Sequence, residues 1–192
     1  MRGGEPSREE ARTKASVFIA TSLDGFIARE NGAIDWLPAP GGEAGAEDYG
    51  YAAFMESVDT VVMGRKTYET ALGFDPWPHA SKPVVVLSSG PVTIPEAIAG
   101  AVESMSGTPA AIVRRLSERG AKHLYVDGGR TIQGFLEAGL IQQLIITRIP
   151  VLIGRGIPLF GPVAHDIRLR HVETRGFPDG LVQSRYELQG AG

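Results

Sequence analysis

The chain predicts an open α/β sheet with mostly parallel strands, helices on both faces and an antiparallel tail at one edge. Two observations carry this. Short β-branched apolar runs alternate with helix-length segments through the first 140 residues. After that point the alternation stops, and three strand-like runs follow with no helix between them. Alternating β and α segments build a parallel sheet covered on both sides, and consecutive strands add antiparallel neighbours.

The first strand is read at 16–22 (SVFIATS), an apolar run bounded by polar residues,. Residues 29–47 are rich in Gly, Pro and Ala and form the longest irregular stretch, and a helix over 47–56 follows with Tyr51, Phe54 and Met55 on its apolar side,. DTVVM at 59–63 is a strand, and Gly64 turns it into a short helix at 66–72. A loop over 74–82 contains two prolines, and the strand PVVVL at 83–87 carries its proline at the tolerated first position,. A weaker strand lies at 100–104. Thr108 and Pro109 supply an N-cap hydroxyl and an N1 proline for a helix that runs to Arg119 and stops at Gly120,. A strand at 123–126 leads through Gly128 and Gly129 into a helix ending near Gly139. The last three strands fall at 144–152, 167–174 and 181–188. Residues 1–14 are polar and read as a flexible tail, leaving a single domain over 15–190.

Composition narrows the function. The 192 residues are 43% hydrophobic and 21% charged, with a formal net charge of −3. That balance speaks against a general nucleic-acid or anionic-membrane binder. With no cysteine, disulfides, thiolate catalysis and Cys-based zinc sites are excluded. No apolar run reaches the length of a membrane span, and the first residues lack the apolar core of a signal peptide. A cytoplasmic location is expected. The four histidines, His79, His123, His165 and His171, have no metal-ligand spacing,, so no metal is expected.

The informative residues stand where strands stop: Thr21-Ser22-Leu23-Asp24-Gly25, Met63-Gly64-Arg65-Lys66-Thr67-Tyr68, Leu87-Ser88-Ser89 and Val126-Asp127-Gly128-Gly129-Arg130. In open α/β sheets ligands bind beyond the carboxyl ends of the strands. Gly128-Gly129 lets the backbone approach a phosphate at a helix start, where unpaired N–H groups and a partial positive charge favour anions. Gly64-Arg65-Lys66-Thr67 repeats that logic with a guanidinium, an ammonium and a hydroxyl. Cations at a helix start oppose its dipole unless an anion joins them. Neither the dinucleotide fingerprint G-x-G-x-x-G nor the Walker pattern occurs, and G-x-S-x-G is absent. Asp24, Asp35, Glu47, Asp48 and Asp127 lie in loops or at element ends, where carboxylates generally cap or solvate.

In this order and spacing the four strand ends resemble the dihydrofolate reductase superfamily, closest to bacterial reductases related to the C-terminal domain of the riboflavin deaminase-reductase. VVMGRKTYE, VVVLSS, YVDGGRTI and LIITRIPVLIGRGIPLF carry the resemblance, which spans residues 16–188. It implies a dihydrofolate reductase-like three-layer fold and a site for NADPH. Arg65, Ser88 and Ser89 would take the 2′-phosphate. Gly64, Lys66 and Thr67 would hold phosphates at one helix start, and Gly128, Gly129, Arg130, Thr131 and Ile132 at the other. Ala20 and Ile27 would flank the nicotinamide.

The substrate side matches the superfamily in part. Trp36, Phe54 and Thr147 stand at substrate positions, while Lys82 replaces the arginine that grips the folate glutamate. The carboxylate that holds the pterin has Asp48, Asp35 and Glu47 as candidates. The resemblance implies an NADPH-dependent reductase acting on a small unsaturated heterocycle, pterin- or pyrimidine-like, or on a carbonyl compound. A genuine dihydrofolate reductase, the riboflavin-pathway 5-amino-6-(5-phosphoribosylamino)uracil reductase and a non-catalytic nucleotide-binding protein are the alternatives. The apolar C-terminal strands and the resemblance together predict a homodimer.

Overall fold

A computed structural model describes residues 13–38 and 47–189. Its strands are β1 (Lys14–Ser22), β2 (Phe26–Ala28), β3 (Thr60–Gly64), β4 (Val84–Leu87), β5 (Val102–Met105), β6 (His123–Asp127), β7 (Gln143–Ile149), β8 (Ile157–Pro158), β9 (Leu169–Gly176) and β10 (Val182–Leu188). The helices are α1 (Tyr51–Ser57), α2 (Arg65–Ala71), α3 (Pro109–Glu118) and α4 (Gly129–Glu137), with a short 3₁₀ turn at Glu96–Ile98.

Eight strands form one sheet in the order β5-β4-β3-β6-β1-β7-β10-β9. Neighbours from β5 to β7 run parallel, and β10 is antiparallel to both β7 and β9. Alternate residues of the central strands face opposite layers. Val61, Met63, Val84, Val86 and Tyr125 pack with Phe54 and Met55 of α1 and Tyr68 of α2. Val62, Val85, Leu124 and Val126 pack with Ile112 and Leu116 of α3 and with Ile132, Phe135 and Leu136 of α4. The helical residues recur at i, i+3 and i+4, the spacing that puts them on one face. Among the described residues no helix is long and apolar enough to cross a membrane.

Several boundaries differ from expectation. Thr13 and Lys14 belong to the fold rather than to a tail: the buried Thr13 hydroxyl donates to Ala121 O at 2.9 Å, and Lys14 pairs with His123. Residues 1–12 and 190–192 lie outside the described residues, as do 39–46 of the irregular stretch. The first helix begins at Tyr51 rather than at 47, because Tyr49 and Gly50 are left-handed, with φ of 55° and 82°. The strand expected over 144–152 stops at Ile149, since Pro150 has no N–H for the ladder. The two short strands β2 and β8 pair antiparallel as a separate ribbon that the sequence did not announce.

Candidate nucleotide-binding crevice

Three ladders define a gap. β1 pairs with β7 from Ser16↔Gln143 to Ser22↔Ile149, and β3 pairs with β6 as far as Met63↔Asp127. Between them, β1 and β6 pair only from Lys14↔His123 to Ser16↔Tyr125. Beyond that point the two central strands part toward their carboxyl ends. The Tyr125 phenol closes the base of the gap by donating to Phe18 O at 2.9 Å. This is also where the strand order reverses, with β7 added on one side of β1 and β6, β3, β4 and β5 on the other. Open α/β sheets bind ligands at such a switch point.

The turns after β3 and β6 abut at the rim of this gap. A Cβ on Gly128, whose φ is +90°, would lie 2.2 Å from Thr67 Oγ1, and a Cβ on Gly64 would lie 2.9 Å from Thr131 Oγ1. Each turn's glycine therefore receives the other turn's threonine. A Cβ on Gly129 would meet Ile27 Cδ1 at 3.0 Å and Pro158 O at 3.3 Å, so the β2–β8 ribbon covers the start of α4. Asp24 ties down the base of this ribbon, accepting from Ser22 Oγ at 2.6 Å and from Gly154 N at 2.8 Å. The Ser22 hydroxyl and these amides hold its carboxyl below the usual range.

Among the described residues neither α2 nor α4 has a side-chain cap, and neither has an acid in its first turn. α3 provides the contrast, since Thr108 Oγ1 accepts from Ala111 N at 3.3 Å. The first N–H groups of an uncapped helix need an external acceptor. Arg65, Lys66 and Arg130 are exposed in these first turns, adding positive charge where the dipole is already positive. Arg65 is only loosely paired, with Glu69 at 3.5 Å. Gly64 is in register with Leu87, so Ser88 and Ser89 leave β4 at the same level as Arg65 leaves β3, with the Ser88 hydroxyl donating to Gly90 O at 2.9 Å. Ile132 is buried beneath the start of α4, and its N–H donates to Gly128 O at 2.9 Å.

At the other rim, Ala20 is in register with Thr147, whose buried hydroxyl accepts from Gln183 Nε2 at 2.9 Å. Ala20 and Trp36 belong to one apolar cluster with Ile149 and Tyr49. The buried Trp36 indole N–H has no partner among the described residues. Phe54 is a core residue here, 5.0 Å from Phe18 and 5.1 Å from Tyr125 between ring centres. Lys82 Nζ donates to Val58 O at 2.6 Å, which commits its ammonium to the backbone.

The carboxylates fall out differently from their order of expectation. Asp35 pairs with Arg29 at 2.6 Å, both side chains being largely exposed. Glu47 accepts from Tyr49 N at 3.1 Å. Asp48 accepts from Gly50 N at 2.8 Å and Ala52 N at 2.9 Å, and these amides hold its carboxyl below the usual range. Asp127 stands instead at the end of β6, directly at the gap. Burial pushes its carboxyl up to about 6, against the opposing pull of the Gly128 amide at 2.7 Å. Its charge in turn helps raise the phenols of Tyr51 and Tyr125, whose main cause is burial. A carboxylate ending a strand ahead of Gly-Gly was the signal available in sequence, but its desolvation arises only in the folded sheet.

A parallel sheet open at its switch point, with two uncapped helices at the rim, defines a protein of the dihydrofolate reductase-like fold. The model of the RibD C-terminal domain matches residues 13–183, and the chain belongs to that family. It is 36% identical over 174 residues to the uncharacterized protein YwjB of Bacillus subtilis, covering 90% of this chain and 97% of the relative. It is 32% identical to dihydrofolate reductase HdrB of Haloferax volcanii, covering 78% and 74%. Among solved structures, a putative riboflavin biosynthesis protein from Shewanella sp. PV-4 superposes with a TM-score of 0.83 at 40% identity, covering 92% of this chain and 99% of that one. Dihydrofolate reductase from Enterococcus faecalis complexed with NADP(H) shares the fold, with a TM-score of 0.64 at 20% identity and coverage of 92% and 97%.

Proposed function

We propose that this chain is an NADPH-dependent reductase that delivers hydride to a small unsaturated heterocycle, pterin- or pyrimidine-like, or to a carbonyl compound. The observation that carries this reading is the gap between β1 and β6, flanked by two abutting helix starts without side-chain caps. The donor set fits a dinucleotide bearing an extra phosphate. The first N–H groups of α4, at Gly129, Arg130 and Thr131, with Lys66 opposite, suit a pyrophosphate. Arg65 beside Ser88 and Ser89 suits a 2′-phosphate, which favours NADPH over NADH. The Enterococcus enzyme of the same fold was solved with NADP(H). Ile27 rests against Gly129 at the start of α4 and Ala20 stands beside Thr147, positions that suit the nicotinamide.

When bound, NADPH supplies the hydride. The chain orients the acceptor and holds a proton. We assign the proton to Asp127, whose carboxyl titrates near neutrality because burial disfavours its charge,. Asp48, held ionised by two α1 amides, fixes the start of that helix. Trp36 packs with Ala20 in the apolar cluster beside the gap, and Thr147, in register with Ala20, lies on the same side. Lys82 lacks the guanidinium fork and is already bound to Val58 O, which argues against a folate glutamate tail.

The test is NADPH titration by fluorescence, followed by NADPH oxidation with dihydrofolate, pterins, pyrimidines and simple carbonyl compounds. Saturable binding below millimolar concentration supports the reading. Absence of binding removes both the reductase and the nucleotide-binding alternative, and binding without turnover of any compound favours the latter.

A further inference from the structure

A second cavity, of about 280 Å³, opens on the α1 face of the sheet, beside that helix and over the strands β1, β7, β10 and β9. It is built of two unlike halves. One half is apolar, with Phe18, Phe54 and Ile145 exposed to it. The other half carries Arg175, Arg185 and Glu173 from the antiparallel tail. Gln183 stands between the cavity and the crevice, its amide donating to both Tyr49 O and Thr147 Oγ1.

The charged half is incompletely satisfied. An Arg185 terminal nitrogen lies 3.2 Å from Glu173 Oε1. The same guanidinium's Nε–H is buried and has no partner among the described residues. The Arg175 guanidinium sits 5.4 Å above the Phe177 ring, which fixes its place without neutralising it,. The lining thus holds two guanidinium groups and one carboxylate, Glu173, which pairs with Arg185 alone, while Asp179 just outside it accepts from the Tyr49 hydroxyl. Buried donors are nearly always paired in folded proteins, and a guanidinium presents its donors as a fork suited to a carboxylate or phosphate. A volume at the small end of ligand pockets suits a single ring rather than a dinucleotide.

We propose that this cavity binds a small planar molecule carrying one carboxylate or phosphate. Its ring lies against Phe18, Phe54 and Ile145, and its anion is held by the outer guanidinium nitrogens of Arg185 and by Arg175. The site is independent of the nucleotide reading and remains if that reading fails.

The test is a titration of the full chain with benzoate, phenyl phosphate and inorganic phosphate, followed by ¹H–¹⁵N spectra. The Arg185 Nε–H reports this cavity, and the Gly129 amide in the same spectrum reports anion capture by the crevice. Benzoate or phenyl phosphate should shift the Arg185 signal saturably, and inorganic phosphate should bind about fivefold more weakly for lack of a ring. The chemical arms separate the source of the oxyanion: preference for benzoate assigns a carboxylate ligand, and preference for phenyl phosphate a phosphate ester. In binding measured by calorimetry, Arg185→Gln should weaken the preferred probe about tenfold and the exposed Arg175→Gln several-fold, while Glu173→Gln should strengthen it. Arg114→Gln, on the distant α3, should change nothing. Equal effects of Arg185→Gln and Arg114→Gln, inorganic phosphate binding as tightly as the ring compounds, or a dimer that shields Arg185 and takes no probe would each overturn the proposal.

Discussion

Asp127→Asn separates the proton-holding carboxyl from an ordinary loop aspartate. The free side chain titrates at 3.8, and burial beside the gap pushes it up to about 6. A rise of about 2 units corresponds to about 3 kcal/mol of preference for the protonated form. The sign follows from linkage: a carboxyl raised in the folded state favours folding fully below about pH 4 and loses that contribution as pH climbs through about 6. Above that, the native state carries a buried charge that the unfolded chain solvates freely. Asparagine keeps an oxygen to accept from Gly128 N and never ionises. The variant should therefore match the wild type near pH 4 and exceed it by up to about 3 kcal/mol near pH 7.5. Urea unfolding at several pH values reads this difference directly, provided the slopes with denaturant are equal. Asp24, Asp35 and Asp48, whose carboxyls are lowered, are common to both proteins and cancel. Turnover of an identified substrate should fall in the wild type as pH rises through about 6, and that limb should vanish in the variant. A stability difference that stays flat across this range would refute the assigned burial and with it the proton-holding role.

Four further outcomes follow from the geometry. Gly128→Ala forces a Cβ into Thr67 at positive φ and should cost about 2–4 kcal/mol in urea unfolding, with partial recovery when Thr67→Ala is added. Arg65→Gln should weaken NADPH binding about tenfold or more while leaving NADH nearly unchanged, as measured by fluorescence titration of the two cofactors. Asp24→Asn should speed amide exchange at Ile153 and Gly154 without changing exchange in β3 or β4, because its carboxylate accepts from these two amides alone outside its own turn. Thr108→Ala removes the cap of α3 and should cost about 1 kcal/mol in thermal or urea unfolding, with cofactor binding intact.

The parallel core was legible because its strands carry apolar residues on both faces. Val61, Val62, Met63 and Val84 to Val86 leave no polar side from which another fold could be built. The α3 start was legible because Thr108 and Pro109 act locally, within one turn. The glycines at 64, 128 and 129 marked the rim correctly, but their reason was only half visible. Sequence indicated room for a phosphate, whereas the structure adds that Gly64 and Gly128 make room for Thr131 and Thr67. What escaped is tertiary. The β2–β8 ribbon is too short for any periodicity, and the parting of β1 from β6 is a property of pairing rather than of either strand. Asp48 was read as a candidate site carboxylate, and the sequence does not show that both its oxygens accept from backbone amides of the following turn. Asp127 looked like a loop residue because its desolvation comes from tertiary packing at the end of β6.

The reciprocal seating of Thr67 over Gly128 and Thr131 over Gly64 has a mechanical consequence. Two turns that interlock in this way behave as one rigid block, so the anchoring points at α2 and α4 cannot shift independently. Any adjustment on ligand entry must fall to the part that is attached differently. That part is the two-strand ribbon, which Asp24 braces through Gly154 N and which Gln133 of α4 joins through Pro158 O and Leu159 O. The block is fixed in the sheet, whereas the ribbon is joined to it by side-chain and turn bonds alone, so the ribbon is the part expected to yield first.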